Sequence, residues 1–84
     1  MYSVVLSKSA ENYLYGRSEE DSRLIIKALE EMAIDPFSGD VKKMKGSDDE
    51  YRRRAGKYRI IFTVENDVLI VDVLSIGHRK NIYH

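Results

Sequence analysis

Eighty-four residues make one small domain, and the absence of cysteine excludes a disulfide framework or a thiolate metal site. Fourteen Lys and Arg balance fourteen Asp and Glu, and a formal net charge of zero argues against a free-standing, strongly basic nucleic-acid binder. The balance hides a segregation: residues 1–41 carry four basic and eight acidic side chains (−4), and residues 42–84 carry ten and six (+4). A divided charge of this kind steers a polyanion to one face. Two histidines, His78 and His84, are too few for a metal cluster without carboxylate help. No apolar run has the length of a signal peptide core or a membrane span, so a cytoplasmic protein without a membrane partner is the default expectation.

In chain order, residues 2–6 (Tyr-Ser-Val-Val-Leu) form a short first strand. Ser7 or Ser9 caps a short helix that includes Ala10, Tyr13 and Leu14 and stops at Gly16. Ser18-Glu19-Glu20-Asp21 starts a second helix, with acidic residues in its first turn and a spacing like that of a capping box. Leu24, Ile25, Ala28, Leu29, Met32 and Ala33 recur at helical intervals, and Asp35-Pro36 ends the run. So short a link between the helices predicts an antiparallel helical hairpin. Glu11, Glu30, Glu31 and Asp35 are expected to be solvated, and Tyr2, Tyr13, Tyr15, Tyr51 and Tyr58 to lie in the core or at its rim.

Residues 36–50 read as a loop with Gly39 and Gly46, interrupted by the basic run Lys42-Lys43-Met44-Lys45. Strands follow at 51–55, 58–64 and 68–76, the last being the most apolar. With Asn66-Asp67 as the loop between the last two, Val64 faces Leu69, Phe62 faces Val71 and Ile60 faces Val73, giving a core side for the helices to cover. Arg59, Ile61, Thr63, Ile70, Asp72 and Leu74 then share the other side. The fold class is α+β: an N-terminal strand, a two-helix antiparallel hairpin, then an antiparallel β-sheet, as one domain over residues 1–84.

The chemistry concentrates in Tyr51-Arg52-Arg53-Arg54-Ala55-Gly56-Lys57-Tyr58-Arg59. Strand alternation puts Arg52 and Arg54 on one face, with Tyr51, Arg53 and Ala55 on the other. Gly56-Lys57 reads as a two-residue hairpin turn, since Gly supplies positive φ. Ala55 then pairs with Tyr58 and Arg54 with Arg59, so that Arg52, Arg54 and Arg59 converge. Like charges directly opposite one another are destabilising, and a bound anion offsets that cost. Arginine suits the role because its planar fork meets phosphate oxygens two at a time. The competing reading is a solvated, charged edge strand that discourages aggregation, neutralised by Asp48, Asp49, Glu50 or Asp72. Arg53 falls on the core side, opposite Ile60, and is expected to snorkel to the sheet rim. His78 and Arg79 follow the last strand, where function is often carried. His78 is a candidate for proton transfer, Arg79 can add charge stabilisation, and Tyr83 can stack on a base. Lys42, Lys43 and Lys45 can contact phosphates without sequence preference.

Three segments carry a resemblance: Met44-Lys45-Gly46, then 51–62, then Val73-Leu74-Ser75-Ile76-Gly77-His78-Arg79-Lys80-Asn81-Ile82-Tyr83. With the order of elements, they resemble the RelE/ParE toxin superfamily over essentially the whole chain, and the tail favours the RelE branch. The resemblance implies a microbial-RNase-like fold and the toxin of a type II toxin–antitoxin pair, with a cognate antitoxin as partner. It further implies entry into the ribosomal A site and metal-independent cleavage of mRNA there, by 2′-hydroxyl attack to a 2′,3′-cyclic phosphate, without a cofactor. By position, Arg52 and Arg54 stand for the basic pair, Arg59 for the transition-state clamp, Arg79 for the group beside the leaving oxygen and Tyr83 for the base-stacking tyrosine. Arginine keeps its proton throughout the physiological range, so proton transfer would fall to His78, Tyr83 or a ribosomal group. The alternatives within the superfamily are a ParE-like inhibitor of DNA gyrase and a non-catalytic member that only binds its antitoxin.

Overall fold

A computed structural model describes residues 1–80, and Asn81–His84, including the candidate Tyr83, lie outside the described residues. The elements run β1 (Ser3–Leu6), α1 (Lys8–Tyr15), α2 (Glu19–Ile34), β2 (Val41–Lys43), β3 (Tyr51–Ala55), β4 (Tyr58–Glu65) and β5 (Ile70–His78). The five strands form one sheet in the order β1-β5-β4-β3-β2. Pairing is antiparallel except at β1, which runs parallel to β5. The α+β class agrees with the sequence reading, and the sheet is mixed rather than wholly antiparallel.

Both helices start where a serine caps them. The Ser7 hydroxyl accepts from the Ala10 N–H at 3.0 Å, and that of Ser18 from the Asp21 N–H at 3.2 Å, which satisfies amides that have no partner within the helix. Each helix lays an apolar stripe on one sheet face. Ala10 and Leu14 from α1, and Ile25, Ala28, Leu29 and Met32 from α2, meet Ala55, Tyr58, Ile60, Phe62, Val71, Val73 and Ile76. Complete burial of a Phe, Ile or Val of this set contributes about 1.5–3 kcal/mol, and Phe62, Ile25, Met32, Ile60, Val71 and Val73 are buried completely.

Three expectations about the strands are corrected. Residues 41–43, read as loop, form the short edge strand β2. Its Val-Lys-Lys has no alternating pattern to announce it, and its backbone bonds to β3 make it a strand. β5 begins two residues later than the apolar run suggests. Val68 and Leu69 are exposed in the turn, and Leu69 adopts a left-handed φ of 54°. The register moves with it: Val64 faces Val71 and Phe62 faces Val73. Finally, Ile60 faces Ile76, because a β-bulge intervenes: Ile61 pairs with Ser75, Phe62 with Val73, and Leu74 is left unopposed. The bulge inverts the alternation of β5 from there on, turning Ile76 and His78 to the helix side and Ser75 and Gly77 to the other.

Two acidic side chains of α2 tie it to the hairpin. Glu31, expected to be solvated, pairs with Arg53. Arg53 is buried within the sheet–helix layer rather than snorkelling, and it also donates to the carbonyls of Ser38 (3.0 Å) and Arg54 (3.2 Å). A buried guanidinium needs this many acceptors. Gly39, with φ of 77°, lets the backbone pass close by, since a Cβ there would lie 2.6 Å from the Arg53 guanidinium carbon. At the other end of α2, Asp21 accepts from the Tyr58 hydroxyl at 2.6 Å and meets the Lys57 ammonium at 3.2 Å. The Tyr58 bond, then the Lys57 bond, hold the Asp21 carboxyl below its ordinary range. The same contact raises Lys57 and, together with burial, raises Tyr58. Of the other tyrosines, Tyr2, Tyr13 and Tyr51 pack against the core, whereas Tyr15 is exposed.

Glu31→Ala leaves a buried guanidinium short of its carboxylate partner and should lower stability by about 1–3 kcal/mol, read as a shift in the urea midpoint. Asp21→Asn should give a pH-dependent loss. A depressed carboxyl contributes stability that is present above its unfolded value of about 4 and is lost as pH falls through the lower folded value. The gap in urea midpoint between wild type and Asp21→Asn should therefore be open at pH 7 and close on acidification below about pH 4.

Candidate functional site

The face of the sheet away from the helices carries the basic residues in two rows fixed by register. In the first, Lys42 of β2 stands opposite Arg52 of β3, Arg52 opposite Ile61 of β4, and Ile61 opposite Ser75 of β5. In the second, Arg54 stands opposite Arg59, and Arg59 opposite Gly77. The hairpin turn that sets these rows is the one read from the sequence. Gly56 takes a φ of 60°, Ala55 pairs with Tyr58, and the turn abuts α2, where a Cβ on Gly56 would fall 2.5 Å from a Leu24 methyl. Arg52, Arg54 and Arg59 thus converge as expected, joined by Lys42.

Little acid is set against this cluster. Asp40 approaches Arg54 at 3.9 Å with both side chains about half exposed, a geometry worth little in water. Asp48, Asp49, Glu50 and Asp72, the neutralising candidates, form no salt bridge among the described residues. Ile61 is completely buried although it lies outside the helix-covered core, and it gives the long aliphatic stems of its neighbours Arg52 and Arg59 an apolar floor to lie on. The Nε of Arg59 is buried and has no hydrogen-bond partner among the described residues, and the same holds for the Ser75 hydroxyl.

The remaining candidates are placed elsewhere. His78 pairs with Tyr58, on the helix side, and its ring stands edge-on to the Tyr58 ring at 6.1 Å. Its Nδ1 accepts from the Lys80 N–H at 3.2 Å, which assigns the proton of the neutral ring to Nε2. The bulge thus separates His78 from the arginine face. Arg79 is exposed, and its N–H donates to the Lys57 carbonyl at 2.9 Å, which keeps the strand end against the hairpin turn. Lys43 pairs with Tyr51 on the helix side of the sheet, and Lys45 is exposed in the turn that follows β2. Sequence reasoning placed Leu74 on the arginine face and overlooked Ser75 and Gly77, because nothing in Leu74-Ser75-Ile76-Gly77 marks the bulge. Among the described residues no group of three or more His, Asp or Glu is placed to hold a metal ion, and no helix is long and apolar enough to cross a membrane.

Three arginines and a lysine on a flat, helix-free face can bind and polarise an anion with oxygens on several sides, as a phosphodiester has. Comparison with known proteins gives the family and the fold. Residues 4–83 match the family described as the ParE toxin of type II toxin–antitoxin system, parDE. Toxin RelE3 of Methanocaldococcus jannaschii is 35% identical over 69 residues, which span 81% of this chain and 76% of that protein. The fold is that of the RelE–RelB complex of Pyrococcus horikoshii (TM-score 0.81, 24% identity, 96% of this chain and 98% of the other). It is also that of the RelB–RelE antitoxin–toxin complex of Methanococcus jannaschii (TM-score 0.74, 28% identity, 94% of each chain). With the family matched along nearly its whole length and the fold shared strand for helix, the chain belongs to the RelE/ParE superfamily of toxins of type II toxin–antitoxin systems.

Proposed function

We propose that this toxin is a ribosome-dependent mRNA endoribonuclease and that its helix-free basic face is the active site. The observation that carries the reading is the convergence of Arg52, Arg54 and Arg59 with Lys42 on one face, set against a single long, exposed contact to Asp40 among the described residues. In the reaction, the ribose 2′-oxygen attacks the adjacent phosphorus and the bond to the 5′-oxygen of the next nucleotide breaks. The products are a 2′,3′-cyclic phosphate and a 5′-hydroxyl. Negative charge grows on the non-bridging oxygens in the transition state. Fixed guanidinium groups stabilise it without reorganising, the effect exploited wherever charge develops in a prepared site.

Arg59, central in its row and flanked by Arg54, is the proposed clamp on the phosphoryl oxygens. Arg52 and Arg54 complete the cradle, and Arg79, at the strand end beside the turn, is assigned to the leaving oxygen. Lys42 extends the basic row, and Lys43 and Lys45 contact the flanking backbone. Since guanidinium does not exchange its proton in this range and His78 stands on the opposite face, proton transfer is assigned to Tyr83 or to a ribosomal group. The partners are the ribosome with mRNA in its A site and a cognate antitoxin, the last supported by the two toxin–antitoxin complexes that share this fold. A second reading, inhibition of DNA gyrase by binding, is kept by the match to the ParE toxin family. Gyrase inhibition in vitro, with intact mRNA on programmed ribosomes, selects it.

Arg59→Ala should fold normally and lose about 100-fold or more in single-turnover cleavage of mRNA on programmed ribosomes. A soluble, folded Arg59→Ala protein that cleaves at the wild-type rate disproves the site. His78→Gln should be mild by comparison, with a pH–rate profile that keeps its shape between pH 6 and 8, because groups that never titrate give no limb there. A loss on the order of 100-fold in His78→Gln, with a limb of the pH–rate profile removed, returns the proton-transfer role to His78.

A further inference from the structure

The helix-free face holds two buried polar atoms that the proposed mechanism leaves idle. The Nε–H of Arg59 and the hydroxyl of Ser75 each lack a hydrogen-bond partner among the described residues. Unpaired buried polar atoms are uncommon in folded proteins, because each keeps an uncompensated desolvation cost. These two are neighbours. Arg59 pairs with Gly77 and Ser75 pairs with Ile61, so Arg59 and Ser75 are diagonal positions on adjacent strands of the same face, within reach of a long side chain. Gly77 puts no side chain between them. They are also complementary: Nε is a donor only, and a serine hydroxyl accepts. Both face the same way only because of the bulge at Leu74.

We propose that Ser75 is the positioning residue of Arg59: when an RNA phosphate docks on the basic face, the Ser75 Oγ accepts the Arg59 Nε–H, and both terminal amino groups of the guanidinium are left to the phosphate oxygens. The inference rests on the reading of this face as a phosphate site. Nε–H and one terminal N–H form one edge of the guanidinium, and the two terminal groups form the other. Holding the first edge on Ser75 presents the second as a bidentate fork and restricts the torsions of a side chain that is otherwise costly to order. The two unpaired atoms of the free protein are then the mark of a contact completed on binding.

The test measures binding of a single-stranded RNA 12-mer by fluorescence anisotropy, together with the 15N-resolved Nε–H resonance of Arg59. Ser75→Ala should weaken RNA binding about tenfold, the worth of one charge-assisted hydrogen bond. Its melting temperature should be unchanged or higher, since the substitution removes a buried unpaired hydroxyl. Ser75→Thr keeps the hydroxyl and should restore binding. The Arg59 Nε–H resonance should shift and exchange more slowly on adding RNA to wild type, and should not do so in Ser75→Ala. Lysine has no Nε–H, so in an Arg59→Lys background Ser75→Ala should have no further effect. Wild-type binding by Ser75→Ala overturns the proposal, as does an equal loss in the Arg59→Lys background or absence of RNA binding by the wild-type protein. Cleavage on programmed ribosomes is scored separately. RNA binding with the Ser75–Arg59 coupling intact but no cleavage sustains this inference and refutes the nuclease.

Discussion

The alternation of β4 between its two neighbours governs the rest of the structure. Ile60 and Phe62 are committed to the helix-covered core, so Arg59 and Ile61 must face the other way. A one-residue slip would expose two of the most buried side chains and drive arginine into an apolar layer, which costs far more than any surface contact returns. The tight turn at Gly56-Lys57 carries this commitment to β3, putting Arg52 and Arg54 beside Arg59 whatever their mutual repulsion. The basic face is therefore a consequence of the core. Packing on one side holds like charges together on the other, as a preorganised anion site requires.

Net neutrality coexists with this face because acids on the helix side are engaged there. Glu31 pairs with Arg53, the one arginine of the triplet that points inward, and Asp21 holds Tyr58 and Lys57. These contacts fix α2 at both ends against the hairpin and keep its charge away from the opposite surface. Arg52, Arg54 and Arg59 are left with Asp40 at long range.

Much of this was legible in the sequence where short-range rules govern. The serine caps, the apolar stripe of α2, the Gly56-Lys57 turn and the pairing of Arg54 with Arg59 each depend on a few adjacent residues, and each was found. What escaped depended on distant partners. β2 is three residues long and exists through its bonds to β3. Glu31 looks solvated on a helical projection, and the buried guanidinium that claims it lies 22 residues away. Counting alternate positions along the last strand put Leu74 on the arginine face and missed Ser75 and Gly77, and that count fails at an interruption that no glycine or proline announces. The late start of β5 likewise rests on Leu69 in a left-handed conformation, which a leucine rarely adopts.

The bulge at Leu74 is secured from outside the strand. The Ser7 hydroxyl that caps α1 also donates to the Leu74 carbonyl at 2.8 Å, and the Ser7 N–H donates to Val73 at 2.9 Å. One serine at the junction of β1 and α1 therefore helps decide which half of β5 looks at which side of the sheet. This gives the site an evolutionary lever separate from residue identity. A single-codon deletion at position 74 would remove the extra residue and leave Ser75 and Gly77 on the arginine face, whereas flattening the bulge with Leu74 retained would turn Ile76 and His78 there instead. A one-column gap at this position in an alignment then marks loss of the bulge with the chemistry of the face kept, and equal length without the bulge marks a face that carries an imidazole in place of a hydroxyl.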